Sequence, residues 1–205
     1  MKNAFIITQG DPDHEPELIE KYMTKLLEKE EFRVYNNFNF EDCDEIIKEK
    51  NIFILNKPIV PVDTDLANKL FELLHNGAGI LIFHAALGNG KRNDIFYQQI
   101  AGGSFIFHPS NVEYTVNIDQ NSSILSGVKD WTLTGEQYYC LVDPACTVHA
   151  TSDFISADGR IIKMPVVWSK EVFNGKVFYF SVGHNLKEFK LAKDIFIRGC
   201  NWLAE

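Results

Sequence analysis

Four of the six histidines in this 205-residue sequence, His14, His84, His108 and His184, fall at or just beyond segments that read as strand ends or loops. Imidazole exchanges protons near neutral pH and is a common metal ligand. Several imidazoles gathered at strand ends therefore point to acid–base or metal-assisted chemistry. His84 and His184 carry the stronger signal. His84 follows Ile80-Leu81-Ile82-Phe83, an apolar run preceded by glycines, and His184 follows residues 177–182 and Gly183. In an open parallel sheet, ligands bind outside the carboxyl ends of the strands, which is where both would stand. Glu136, within Thr134-Gly135-Glu136-Gln137-Tyr138-Tyr139, is the carboxylate that could join them. It could orient an imidazole, share a metal, or act as general acid or base. His84, Glu136 and His184 are thus the candidate catalytic residues, and His14 and His108 candidate substrate contacts. Tyr138, Tyr139 and Trp168 could line a sugar platform, although aromatic side chains in β-rich segments more often belong to a core. A divalent metal on His84 and His184 would be zinc before other ions, given imidazole and carboxylate donors.

Taken singly, each of these residues has a plain structural reading: a loop histidine hydrogen-bonded to its surroundings, or an exposed loop glutamate. The other two histidines are read that way. His75 stands at a helix end, where a positive charge complements the dipole, and His149 lies inside an expected strand with no partner evident from the sequence.

The elements that must position these groups alternate. Residues 3–8 read as a first strand, followed by a turn that carries His14. Leu18, Ile19, Tyr22, Met23, Leu26 and Leu27 recur at helical spacing over 15–30. Residues 32–35 suit a short strand, 42–50 a short helix and 52–55 a buried strand. Asp63 or Thr64 can cap a helix that runs to Asn76, and Gly77 ends it. Residues 80–83 form the next strand and 93–100 a short helix. This βαβα order predicts a doubly wound, mostly parallel sheet with right-handed crossovers. After Gly102-Gly103-Ser104-Phe105 the pattern changes. Strands over 112–118, 146–151 and 161–168, separated by turn-rich segments, read as a β-rich insertion or sheet extension. Residues 177–182 form a last central strand and 186–203 a closing helix.

The chain is 45% hydrophobic, enough for one sizeable core, and reads as a single domain over 1–205. A net charge of −8 without a basic run argues against nucleic acid and anionic membranes. A small molecule is the expected partner, with a homodimer as the default assembly. The amino-terminal apolar run is too short for a secretory signal, so the expected location is cytoplasmic. Cys43, Cys140, Cys146 and Cys200 lack Cys-x-x-Cys spacing and read as free thiols. No dinucleotide glycine fingerprint, Walker motif or serine-hydrolase elbow occurs, so no nucleotide cofactor is expected.

Further pieces carry a family resemblance. They are Phe83-His84-Ala85-Ala86, Gly102-Gly103-Ser104-Phe105 with His108-Pro109, Glu136 with Tyr138, Pro165 with Trp168, Gly175-Lys176-Val177-Phe178-Tyr179 with Gly183-His184, and Arg198-Gly199 with Trp202. Their order and spacing resemble the ThuA-like (trehalose-utilisation) family, whose fold is similar to that of class I glutamine amidotransferases. The resemblance implies a flavodoxin-like sheet in which His84 stands where amidotransferases carry their cysteine nucleophile. Amidotransfer is then not expected, because an imidazole does not replace the thiolate of an acyl intermediate. It also implies an enzyme of carbohydrate metabolism acting on a sugar or keto sugar, or else a sugar-binding or regulatory protein with a repurposed pocket. The chain departs from the family pattern in three places: Asn121-Ser122 replaces a His-Pro pair, Gly135 replaces an acidic residue, and no glycine intervenes between Lys176 and Val177.

Overall fold

A computed structural model describes residues 2–8, 12–36, 38, 51–56, 64–87 and 99–205. In chain order its elements are β1 (Lys2–Thr8), α1 (Pro16–Lys29), β2 (Phe32–Tyr35), β3 (Asn51–Asn56), α2 (Thr64–His75), β4 (Gly79–Phe83), β5 (Gly103–Phe107), β6 (Val112–Ile118), β7 (Trp131–Gly135), β8 (Tyr139–Val142), β9 (Thr147–Ile155), β10 (Ile161–Val172), β11 (Gly175–Phe180), α3 (Leu186–Leu191) and α4 (Lys193–Leu203). The helices expected over 42–50 and over most of 93–100, the cap at Asp63, the turn at Gly88–Gly90 and Cys43 lie outside the described residues.

Nine strands form one mixed sheet in the order β2-β1-β3-β4-β11-β10-β9-β6-β7, and β5 pairs with β8 in a separate ribbon. From β2 to β11 every pairing is parallel. β3 and β4 are buried at every residue, as expected of strands covered on both faces. Beyond β11 the pairings are antiparallel. The β-rich segment therefore continues the same sheet past its last parallel strand.

Alternation along β11 divides the core. Phe178 and Phe180 point to the side of Ile19, Met23, Phe189 and Phe196, contributed by α1, α3 and α4. Val177 and Tyr179 point to the side of Leu70, Leu73 and Leu74 of α2. Helix α4 lies so close to the sheet that a Cβ at Gly199 would stand 2.5 Å from the Phe178 ring, so glycine is required there for contact rather than for conformation. The closing helix expected as one piece is two, with Ala192 (φ −86°, ψ 5°) between α3 and α4.

His149 acquires partners that the sequence does not reveal. Buried at 4% exposure, its Nδ1 lies 2.9 Å from Ser122 Oγ and its Nε2 2.8 Å from Ser169 Oγ. Ser122 Oγ also accepts from the Leu125 amide at 3.0 Å. Ser122 thus occupies one of the departures from the family pattern and anchors a buried imidazole. Burial holds His149 below the ordinary histidine value, with Asp119 acting weakly in the other direction. The folded state therefore favours neutral His149. As pH falls through the ordinary histidine range, near about 6.5, the unfolded chain binds a proton that the folded chain refuses, so stability is full above that range and lost on descending to the folded value. Urea unfolding at about pH 7.5 and about pH 5.5 is expected to show a larger acid loss for the wild type than for His149→Gln. Equal losses would assign the acid sensitivity to other groups.

Candidate functional site

Three parallel strands deliver three histidines to one edge. β1 leads into a single 3-10 turn, Pro12–His14. β4 ends at Phe83 in extended backbone, and His84 follows at φ 44° as the first residue of another 3-10 turn, His84–Ala86. β11 is followed by Gly183 and His184. Because β1, β3, β4 and β11 are parallel neighbours, their carboxyl ends open on one side. The ring centroids of His14 and His184 lie 4.4 Å apart, His84 and His184 5.5 Å, and His14 and His84 5.6 Å. A non-glycine residue at positive φ is costly and tends to persist where function requires it.

Glu136 arrives from the opposite end of the sheet. It directly follows β7, the outermost antiparallel strand, yet Oε2 lies 3.4 Å from His84 Nε2, and Oε1 lies 3.4 Å from His184 Nδ1 and 3.6 Å from His108 Nε2. β6 is in ladder register with β9 at two positions, Asn117↔Thr151 and Ile118↔Ala150. The rest of the β6–β7 ribbon is free to fold over the α3 side, with Tyr114, Val116 and Leu133 packed in the same core as Phe180 and Phe189. That folding brings the end of β7 back to the histidines.

The electrostatics follow from this geometry. Burial would raise the Glu136 pKa, but the contact with His84 and the charges of His84, His184 and His108 outweigh it and hold the carboxyl at about 2. Glu136 is therefore ionised throughout the neutral range. His84 Nδ1 lies 2.9 Å from Ser181 O, and His108 Nδ1 lies 2.8 Å from Pro109 O. A carbonyl only accepts, so both rings carry hydrogen on Nδ1 and turn Nε2 toward the same carboxylate. A bare Nε2 lone pair would repel that carboxylate. The pair is satisfied when a proton or a cation stands between them.

Tyr138 completes the wall. It is buried, stacks on His84 with centroids 4.8 Å apart, and its hydroxyl lies 3.3 Å from His84 Nε2. Burial, reinforced by Glu136, pushes its pKa well up, so it remains a phenol. Trp168 stands elsewhere. It is 0% exposed, stacks on Tyr179 at 4.0 Å and donates its indole N–H to Ala101 O at 2.7 Å. The expectation that it lines a sugar platform is corrected on these grounds: its ring faces the core and has no surface to offer a ligand.

Glu188 is a neighbour that the motif reading did not single out. Its Oε2 accepts the His184 backbone N–H at 3.1 Å, and Asn185 Oδ1 caps its own amide at 3.0 Å. The Asn185-x-x-Glu188 spacing is a helix-start signal that could have drawn attention to it. A Cβ at Gly135 would lie 2.8 Å from Glu188 Oε1, so this carboxylate fills the space that a side chain at position 135 would take.

Nδ1 or Nε2 atoms of His14, His84 and His184 all lie within 4.8 Å of one another. A tetrahedral zinc site with Zn–N near 2.0–2.1 Å needs donors about 3.3 Å apart, so no pair would have to close by more than about 1.5 Å. In kind the donors fit, and the His84 Nδ1–H bond to Ser181 O is the support that ligating histidines usually have. His14, expected as a substrate contact, thus belongs to the same donor group as His84 and His184.

The fold is similar to that of a ThuA-like protein from Bacteroides uniformis, with TM-score 0.79 and 18% identity over 99% of this chain and 91% of that one. It is also similar to a ThuA-like protein from Parabacteroides merdae, with TM-score 0.74 and 16% identity over 100% and 90%. A β-galactosidase from Bacillus circulans contains a comparable region, with TM-score 0.63 and 12% identity over 98% of this chain and 30% of the enzyme. No curated protein sequence matches the chain. The family model described as ThuA, trehalose utilisation, matches residues 3–203, and the chain belongs to that family.

Proposed function

We propose that this protein is a cytoplasmic, single-domain enzyme of carbohydrate metabolism that converts a sugar or keto sugar derivative related to trehalose utilisation, without amidotransferase activity. The observation that carries this reading is one ionised carboxylate, Glu136, facing His84, His108 and His184 together. A scaffold gains nothing from such a cluster, since gathering polar groups away from water is costly. Two features favour a flavodoxin-like, class I amidotransferase-like frame. The strand order β2-β1-β3-β4-β11 follows the 2-1-3-4-5 pattern of that sheet, and His84 occupies a strained strand-to-turn position of the kind that presents a reactive side chain. Cys140 and Cys200 are buried with their thiols pushed up by burial, and Cys146 is pushed up to about 11. None of the three suits a thiolate nucleophile.

In this reading Glu136 accepts a proton from the substrate or from water. His84, its Nδ1–H held by Ser181, gives and takes a proton at Nε2. His184 and His108 flank the carboxylate, and the Tyr138 phenol can donate to a developing oxyanion. A divalent ion, zinc first, held by His14, His84 and His184 would add Lewis-acid polarisation of a carbonyl or a more acidic water. Protein purified without a histidine tag is expected to carry about one equivalent of zinc by elemental analysis. Chelation should remove it, and His84→Ala should fail to retain it. Wild type without stoichiometric metal would leave the acid–base version alone standing.

A further inference from the structure

Beside His14 and His84 lies a small chamber whose lining includes Asn56, and the Asn56 side-chain oxygen finds no donor among the described residues. Asn56 ends β3, in register with Thr8 of β1 and Phe83 of β4, and is 0% exposed. Its Nδ2 donates to Thr8 Oγ1 at 3.2 Å and to Pro16 O at 3.1 Å. The Pro16 carbonyl can only accept, so the amide nitrogen must be the end that faces it. The amide oxygen is therefore the polar atom that Asn56 has left for the chamber, and Oδ1 finds no hydrogen-bond donor among the described residues. The chamber measures about 10 Å³, and its lining includes His14, Ile19, Asn56, Phe83, His84 and Ala85. That is room for about one water-sized oxygen, and a buried acceptor without a donor is costly enough to require one.

We propose that the chamber is a binding subsite for a single hydroxyl oxygen, of solvent water or of a polyol, which donates its O–H to Asn56 Oδ1 beside the His84 ring. Chemistry restricts the occupant. Oδ1 repels carbonyl and carboxylate oxygens, which have no hydrogen to give. A hydroxy-ketone would be sorted by this arrangement, with a hydroxyl toward Asn56 and the carbonyl toward the donors on the Tyr138 side. The sorting role rests on the proposed sugar-converting function, whereas the occupancy itself does not.

Crystal structures of the full chain, alone and soaked in trehalose, test the subsite. One oxygen is expected within hydrogen-bond distance of Asn56 Oδ1, roughly 2.6–3.2 Å away. If the same isolated oxygen persists after soaking, and trehalose affinity is equal in wild type and Ala85→Val, the source is water. If a sugar hydroxyl replaces it, the source is the polyol, and Ala85→Val, which adds two methyl groups to the chamber's lining and leaves the Asn56 amide in the chain, should weaken trehalose binding roughly five- to tenfold. A dry chamber in both crystals, or a protein donor on Oδ1, would overturn the proposal. Zinc-free protein with the oxygen present sinks the zinc version alone, and zinc-loaded protein with a dry chamber sinks the subsite alone.

Discussion

Glu136→Gln is expected to slow conversion of a susceptible sugar by about two to four orders of magnitude, the usual contribution of a positioned acid–base group. The substitution keeps shape and volume and removes only charge and proton affinity. His84 Nε2, His108 Nε2 and His184 Nδ1, at 3.4, 3.6 and 3.4 Å from the carboxylate, would then face an amide. An amide cannot take a proton at neutral pH, so the route from substrate to Glu136 is lost while the imidazoles stay in place. The measurement is mass spectrometry of a panel of disaccharides and keto sugars incubated with wild type and variant, with thermal unfolding as the control for folding. A variant that converts sugars at the wild-type rate would remove Glu136 from the chemistry. Wild type that binds members of the panel and converts none would support the sugar-binding or regulatory reading instead.

Trp168→Ala is expected to produce the largest loss of stability, about 3–5 kcal/mol in urea unfolding, which for a chain of this size lowers Tm by roughly 10 °C. The indole is 0% exposed, stacks on Tyr179 across the β10–β11 pair and satisfies Ala101 O through its N–H. Alanine leaves a large cavity between the sheet and the Gly102–Gly103 turn, where the Trp168 ring already stands 2.7 Å from the position of a Gly103 Cβ. Trp168→Phe should lose less, mainly because Ala101 O forfeits its donor. Below the unfolding transition, the affinity of the folded fraction for sugar should be unchanged in both variants. A binding defect without a stability defect would return Trp168 to the ligand surface.

The two residues show what kinds of inference a sequence permits. Glu136 was legible as a candidate because its neighbours are turn-like and polar, and because a carboxylate near imidazoles has obvious uses. Trp168 was ambiguous because an aromatic side chain in a strand reads the same whether it faces a ligand or a core. Alternation assigns a side chain to one face of a strand, but it does not say what covers that face.

The sequence by itself determined the parallel half of this protein. Apolar runs at 3–8, 52–55, 80–83 and 177–182, separated by amphipathic helices and glycine stops, specify short strands buried on both faces, and the parallel pairing of such strands places His14, His84 and His184 at one edge. These signals are local, set by hydrophobic period and capping chemistry. Only the tertiary structure decided the rest. The short ladder between β6 and β9 lets a ribbon fold back and set Glu136 against histidines from 28 to 52 residues away in the chain. It also placed Glu188 beside Gly135, Ser122 and Ser169 on the two sides of His149, and the buried Asn56 amide beside His14 and His84. The physical reason is common to all of these. Which polar groups meet across long stretches of chain depends on strand register and on how the sheet curls, and no window of sequence contains either.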